Sequence, residues 1–162
     1  MASWRTSEIT NKRLHSWLNV NCGLHDSTAA LQEIVRLRVT RWVTVINGGR
    51  IINAKTARSQ IIGAVVMGIG MGLLEETIYD TRTAQPINNN FADYLVAVNA
   101  DVPEIDCVFL DYPDTILNEY GARGIGEIGL TGCASALTSA AYHATGIRIR
   151  ELPIRIEKLM GS

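Results

Sequence analysis

Gly121-Ala-Arg-Gly-Ile-Gly-Glu-Ile-Gly-Leu-Thr-Gly132 is the stretch that decides how this chain folds and what it carries. Five glycines, at 121, 124, 126, 129 and 132, surround one carboxylate, Glu127. Glycine costs backbone entropy, so such a run belongs where the chain turns tightly or lets another group approach closely. A carboxylate held there is placed like a reagent beside a bound group. Alternatively, the run is a glycine-rich loop ahead of a helix, with Glu127 a solvated charge near the helix N-terminus. Spacing alone leaves both open.

Gly124 to Gly129 also fits G-x-G-x-x-G, and Glu151 follows at about the distance of a ribose-binding acid. That fingerprint requires a hydrophobic strand directly before its first glycine. Leu117 to Arg123 is polar and turn-like instead, and only about 30 residues follow the run. A carboxylate between the glycines would also repel a pyrophosphate. Nucleotide binding by this loop is therefore set aside.

On its C-terminal side, Thr131 is the expected N-cap and Gly146 the expected C′ residue of a small-residue helix. Ala134, Leu137, Ala141 and Tyr142 would share its inner face. Ile147 to Pro153 then alternates like a short final strand. On the N-terminal side, Asp111 to Asn118 reads as a loop and Ile105 to Leu110 as a short strand. Asp80 to Glu104 is long and turn-rich, with Pro86, Asn88, Asn89, Asn90 and Pro103. Loops of that length usually wrap a partner, a site or another domain.

Further upstream, Ile61, Val65, Ile69, Leu73 and Ile78 form a helical stripe over about residues 55 to 78. Gly63, Gly68, Gly70 and Gly72 lie inside it. Each weakens a helix by up to about 1 kcal/mol relative to alanine, so another element is expected to pack closely against them. Asn47-Gly48-Gly49 is a turn signal. Before it, Ile34 to Ile46 alternates as a half-buried strand: Val35, Leu37, Val39, Trp42 and Val45 against Arg36, Arg38, Thr40, Arg41 and Thr44. The alternation slips once near Trp42, as a bulge would produce. Residues 1 to about 33 carry no motif; Trp4, Leu14, Trp17 and Leu18 suggest a short helix and Gly23 to Thr28 a loop. The expected class is α+β, with mixed strands and helices, residues 1–33 unassigned and residues 34–162 forming one unit.

The chain has 162 residues, the usual size of one domain, with 47% apolar and 19% charged residues. Net charge is -1 without blocks of like charge, so no nucleic-acid or membrane partner is expected. Cys22, Cys107 and Cys133 lie too far apart for an iron–sulfur ligand run and read as small buried hydrophobes. His15, His25 and His143 lack partners at metal-ligand spacing, so no residue is assigned to a metal. The longest apolar run, Ile61 to Leu74, spans 14 residues, short of the ~20 that cross a bilayer. Met1 to Asn11 is polar, without an apolar signal core. A soluble chain in a reducing compartment, hence cytoplasmic, is expected, with the periplasm left open.

Several segments, taken in order, resemble one known family. They are Arg50-Ile-Ile-Asn53, Ala57-Arg-Ser-Gln-Ile-Ile-Gly63 and Met67-Gly-Ile-Gly-Met-Gly-Leu-Leu-Glu-Glu76, followed by Gly121-Ala-Arg-Gly-Ile-Gly-Glu127 and Ala144-Thr-Gly-Ile-Arg-Ile-Arg-Glu-Leu-Pro153. Together they resemble the C-terminal part of the large, molybdopterin-binding subunit of the molybdenum hydroxylases, the xanthine dehydrogenase and aldehyde oxidoreductase family. The likeness covers about residues 35 to 160 and is nearest to the bacterial three-subunit aldehyde oxidoreductases.

The resemblance implies a role for each matching residue. Glu127 would lie beside molybdenum and act as general base, taking a proton from a metal-bound hydroxyl whose oxygen attacks an aldehyde or nitrogen heterocycle. A general base needs a pKa near working pH, which an apolar wall from Ile125 and Ile128 would favour. Gln60 would hydrogen-bond the pterin, an amide offering both donors and an acceptor. Ser59, Thr56 and Gly126 would meet the same cofactor. The cofactor implied is a molybdenum-pterin, with a cytosine dinucleotide form as one variant. The partners implied are the remainder of the molybdenum subunit and iron–sulfur and FAD subunits.

The family subunit is several times longer than this chain, and its other cofactor loops lie upstream. A fragment, a truncated product or one piece of a split subunit is expected. Such a chain would bind no cofactor and turn over no aldehyde by itself. The competing expectation is a non-catalytic domain that keeps the fold and self-associates through exposed apolar surface as a homo-oligomer.

Overall fold

The computed structural model describes the backbone of residues 17–20 and the whole of residues 37–159. A three-stranded sheet carries the fold, in the order β1 (Trp17–Val20), β2 (Val39–Ile46), β3 (Glu104–Phe109). Strand β1 runs antiparallel to β2, and β3 runs parallel to it. Trp17 and Leu18 therefore lie in a strand rather than the expected helix; Trp4, Leu14 and the loop at Gly23 to Thr28 fall outside the described residues.

The slip in β2 is a bulge. Opposite β1 the register steps from Arg41 to Val39, so Thr40 is the inserted residue. Thr40 and Arg41 both face solvent, and the pleat restarts in a new phase. Beyond the bulge Trp42, Thr44 and Ile46 point inward, while Val45 is only half-buried. Thr44 was expected outside and Val45 inside; the extra residue exchanges them.

Helix α1 (Ala54–Leu73) crosses from β2 toward β3. Asn53 caps it, its Oδ1 accepting the Lys55 and Thr56 N–H groups at 3.1 Å each. By length and composition α1 is apolar enough to cross a membrane. Its stripe Ile61, Val65 and Ile69 is nonetheless buried in the core, as in the central helix of a globular domain. Arg58 ties it to the sheet by donating from Nη2 to the Ile105 carbonyl at 3.1 Å.

The helix stops five residues before the expected end, and Ile78 is exposed. The Leu74 and Glu75 N–H groups both turn back to the Gly70 carbonyl. Past them the buried Asn88 side chain accepts from Ile78 N–H at 2.9 Å and donates to the Glu76 carbonyl at 2.6 Å. One amide thus satisfies a donor and an acceptor that a continuing helix would have paired. The following residues form the expected irregular excursion, with a bridge between Tyr79 and Pro86 and a 3₁₀ turn at Asn99–Asp101.

Helix α2 (Cys133–Thr145) packs on α1 through glycine. A Cβ on Gly68 would lie 2.5 Å from Cys133 Sγ, and one on Gly72 would run into the Leu137 side chain. Close packing accounts for these two glycines as expected. It does not account for Gly63, where a Cβ would meet nothing within 4 Å. The N-cap of α2 is Gly132 in the left-handed region (φ 93°), not Thr131, and no side chain caps it. Gly146 closes the helix at φ 76°, its N–H bonded to the Tyr142 carbonyl. The buried face is Cys133, Ala136, Leu137, Ala140 and Ala141; Ala134 and Tyr142 lie at its edges.

Residues 147–150 alternate in burial, but no strand forms there. The segment turns inward instead, where Ile154 N–H bonds the Gly72 carbonyl at 2.7 Å and Ile154 and Leu159 join the core around Trp42, Val65 and Leu137.

Candidate active site

The glycine run begins as a clasp on the end of β2. Gly49 and Ala122 form an antiparallel bridge. The Gly121 carbonyl accepts from Arg50 N–H at 2.8 Å and Asp114 N–H at 2.9 Å, and Arg123 N–H donates to the Gly48 carbonyl at 2.9 Å. Gly49 and Gly121 both sit at φ 66°, the left-handed region that favours glycine. Neither has room for a side chain: a Cβ on Gly49 would strike the Gly121 carbonyl, and one on Gly121 would lie 2.9 Å from Pro113 Cβ. The glycines are demanded by this crossing of two strands of chain.

Side chains lock the clasp from the loop below. Arg123 donates from Nε at 3.0 Å and Nη2 at 2.7 Å to Asp114 Oδ2. That guanidinium, with the Leu117 N–H, holds the Asp114 carboxyl below its ordinary range. Asn118 serves both sides of Ala122: its Nδ2 donates to the carbonyl at 2.8 Å and its Oδ1 accepts the N–H at 3.3 Å. Asp114, Asn118 and Arg123 were not singled out from sequence. The Pro113-Asp114 pair, with Leu117 N–H donating to Asp114 Oδ1 at 3.2 Å, is the turn signal that points to them.

Past the clasp, Ile125 folds over Gly48 beside Ile51. It is directed to the end of β2, while Ile128 is 45% exposed.

Glu127 opens a 3₁₀ turn, Glu127–Leu130, that lies against α1. Gly129 is the contact: its Cβ would sit 3.1 Å from Ala64 Cβ and 3.3 Å from the Ile61 carbonyl. The Cys133 thiol donates back to the Gly129 carbonyl at 3.2 Å, and burial pushes that thiol up to about 11. The turn is thus fixed from both helices, with Glu127 on its exposed side.

Gln60 precedes Ile61 on α1, which places it next to the residue that Gly129 touches. Thr56, Ser59 and Gln60 are all exposed on the first turns of the helix. Thr56 is turned inward on the cap, its Oγ1 donating to the Asn53 carbonyl at 3.2 Å. Gln60, Gly63 and Met67 continue along an exposed strip. The structure leaves Gln60 and Glu127 both exposed and engages Thr56 in the cap. Gly126 is exposed beside Glu127.

A pterin cofactor fits what these residues leave open. A Cβ on Gly63, Gly124 or Gly126 would meet nothing within 4 Å, so no contact among the described residues explains the missing side chains. Gln60 adds an exposed amide and Glu127 an exposed carboxylate. Two hollows, of about 220 and 390 Å³, lie elsewhere, one against Val39, Ile69 and Ile154, the other against Tyr142, His143 and Arg148. Glu127 lines neither; it stands on an open face. Among the described residues no three His, Cys, Asp or Glu side chains converge as metal ligands.

Comparison with known proteins identifies the family. The family described as Molybdopterin cofactor-binding domain matches residues 29–103. The aldehyde oxidoreductase molybdenum-binding subunit PaoC of Escherichia coli K12 is 44% identical over 141 residues, covering 87% of this chain and 18% of that subunit. The putative xanthine dehydrogenase molybdenum-binding subunit XdhA of the same organism is 30% identical over 138 residues, 85% of this chain and 18% of the subunit. The crystal structure of quinoline 2-oxidoreductase from Pseudomonas putida 86 superposes with a TM-score of 0.71 at 30% identity, covering 79% of this chain and 16% of that one. The chain thus spans less than one fifth of the length of the relatives it matches.

Proposed function

The chain belongs to the molybdenum-binding subunits of the xanthine dehydrogenase and aldehyde oxidoreductase family, and from that premise we propose that it supplies the general base of such an enzyme, Glu127. The observation that supports this is the clasp. Paired left-handed glycines and the Asp114–Arg123 ion pair present one carboxylate on a fixed backbone, beside glycines that no described residue fills.

In the complete subunit the bound molybdenum-pterin supplies the water-derived oxygen and accepts the substrate's electrons. This chain's part is proton transfer and positioning. A Glu127 carboxylate oxygen accepts the proton released as oxygen bonds to the carbonyl or ring carbon of an aldehyde or N-heterocycle. Gln60 presents its amide to the pterin edge, and Ser59 and Gly126 border the same group. Thr56 contributes by fixing the first turn of α1 on Asn53. Closure by the rest of the subunit would exclude water from the carboxylate and its substrate.

A chimera tests the assignment. With this chain replacing the matched stretch of PaoC, Glu127→Gln is expected to lower aldehyde turnover by about 10²–10⁴-fold, the usual worth of a general base. Molybdenum content by elemental analysis should stay stoichiometric. Near-normal turnover in the variant would remove Glu127 from the mechanism. Mass spectrometry of the released cofactor distinguishes plain molybdopterin from its cytosine dinucleotide.

A further inference from the structure

The loop that locks the clasp displays a set of apolar side chains that the fold does not use. Ile116 is 98% exposed, Tyr120 72% and Leu117 63%, with Tyr112 beside them. Ile52, 71% exposed, follows Arg50, whose N–H is bonded to Gly121 at the other side of the same crossing. A mobile loop would bury such residues by collapse. This one is pinned from Asp114 to Gly121: Leu117 and Asn118 N–H bond the Asp114 carbonyl, Gly121 N–H bonds the Asn118 carbonyl, and Asp114 N–H bonds the Gly121 carbonyl.

Holding several large apolar groups in water on a rigid loop is unfavourable by about 25 cal/mol for each Å² left exposed. Apolar patches of this kind mark contact surfaces. We infer that Ile52, Tyr112, Ile116, Leu117 and Tyr120 form the docking face for the remaining part of the molybdenum-binding subunit, a partner surface that is apolar at its centre. The inference rests on the proposed function, and two observations select this occupant. More than four fifths of PaoC lies outside the stretch this chain matches, so a large body must meet this fold somewhere. The face is continuous with the clasp that presents Glu127, where a body completing the cofactor site has to sit.

Asp111 and Glu119 stand exposed beside the apolar residues and Arg50 is exposed across the same crossing, so the rim of the face carries charge of both signs.

Purified chain is titrated by calorimetry with PaoC from which the matched stretch has been deleted. One-to-one binding is expected, weakened at least tenfold by Ile116→Asp and by Tyr120→Ser, and unchanged by Phe91→Ser on the separate excursion. Both docking residues are exposed, and a wild-type circular dichroism melt verifies that each variant folds. Absence of binding by the unsubstituted chain, or binding indifferent to both variants, overturns the inference. So does a dimer on size-exclusion that Ile116→Asp dissociates, which would make the occupant a second copy. The titration needs neither molybdenum nor aldehyde, so it can fail while Glu127 stands as the base, and the reverse.

Discussion

Asp114 does more for the site than its place in a surface loop suggests. Its carboxylate holds Arg123 and the Leu117 N–H, and its own N–H holds Gly121. Those contacts favour the ionised form, so its pKa falls below the ordinary 3.8 on folding. A depressed carboxylate contributes stability that is complete above its unfolded value and is lost as pH falls through the folded one. Protection of the Gly121 and Arg123 amides from hydrogen exchange, corrected for intrinsic rates, should therefore hold above pH 3.8 and fall progressively below it. Asp114→Asn should show low protection across the whole range. Protection that ignores both pH and this substitution would mean the clasp is held by its backbone alone.

The elements show which signals a one-dimensional pattern transmits. The stripe of α1 at Ile61, Val65 and Ile69 was legible because burial in a helix repeats every three or four residues. Its end was not, because Asn88 halts it from fifteen residues downstream of Leu73, where no periodicity reaches. The β2 slip was visible as a broken alternation, yet the side that inverted was hidden until Thr40 proved to be the insertion. The segment 147–150 carries strand-like alternation without a partner, which no pattern within it reveals. Glycines divide in the same way. Gly68 is packed on Cys133, whereas Gly63 faces open space. Gly68→Ala should destabilise the chain by about 1–3 kcal/mol through overpacking. Gly63→Ala should stabilise it by about 0.5–1 kcal/mol, since an exposed helical glycine gives up only entropy. Urea unfolding of the two variants measures both, and equal effects of the same sign would refute the packing assignment.

At the scale of the whole molecule, the proposed function makes the chain one face of a site. The motif at Glu127 was readable because its glycines are forced locally, by the left-handed turns at Gly49 and Gly121 and by the contact of Gly129 with α1. Ile125 and Ile128, neighbours of Glu127 in sequence, diverge on the turning backbone: Ile125 reaches toward Gly48 and Ile128 stays 45% exposed. Among the described residues Glu127 stays exposed, so on the proposed function its enclosure would come from the rest of the subunit. The most direct test is a crystal structure of the PaoC chimera with data collected at the molybdenum absorption edge. The account predicts an anomalous molybdenum peak facing the Glu127 carboxylate, with Gln60 turned toward the pterin. A peak on another face, with Glu127 directed into bulk solvent, would contradict it.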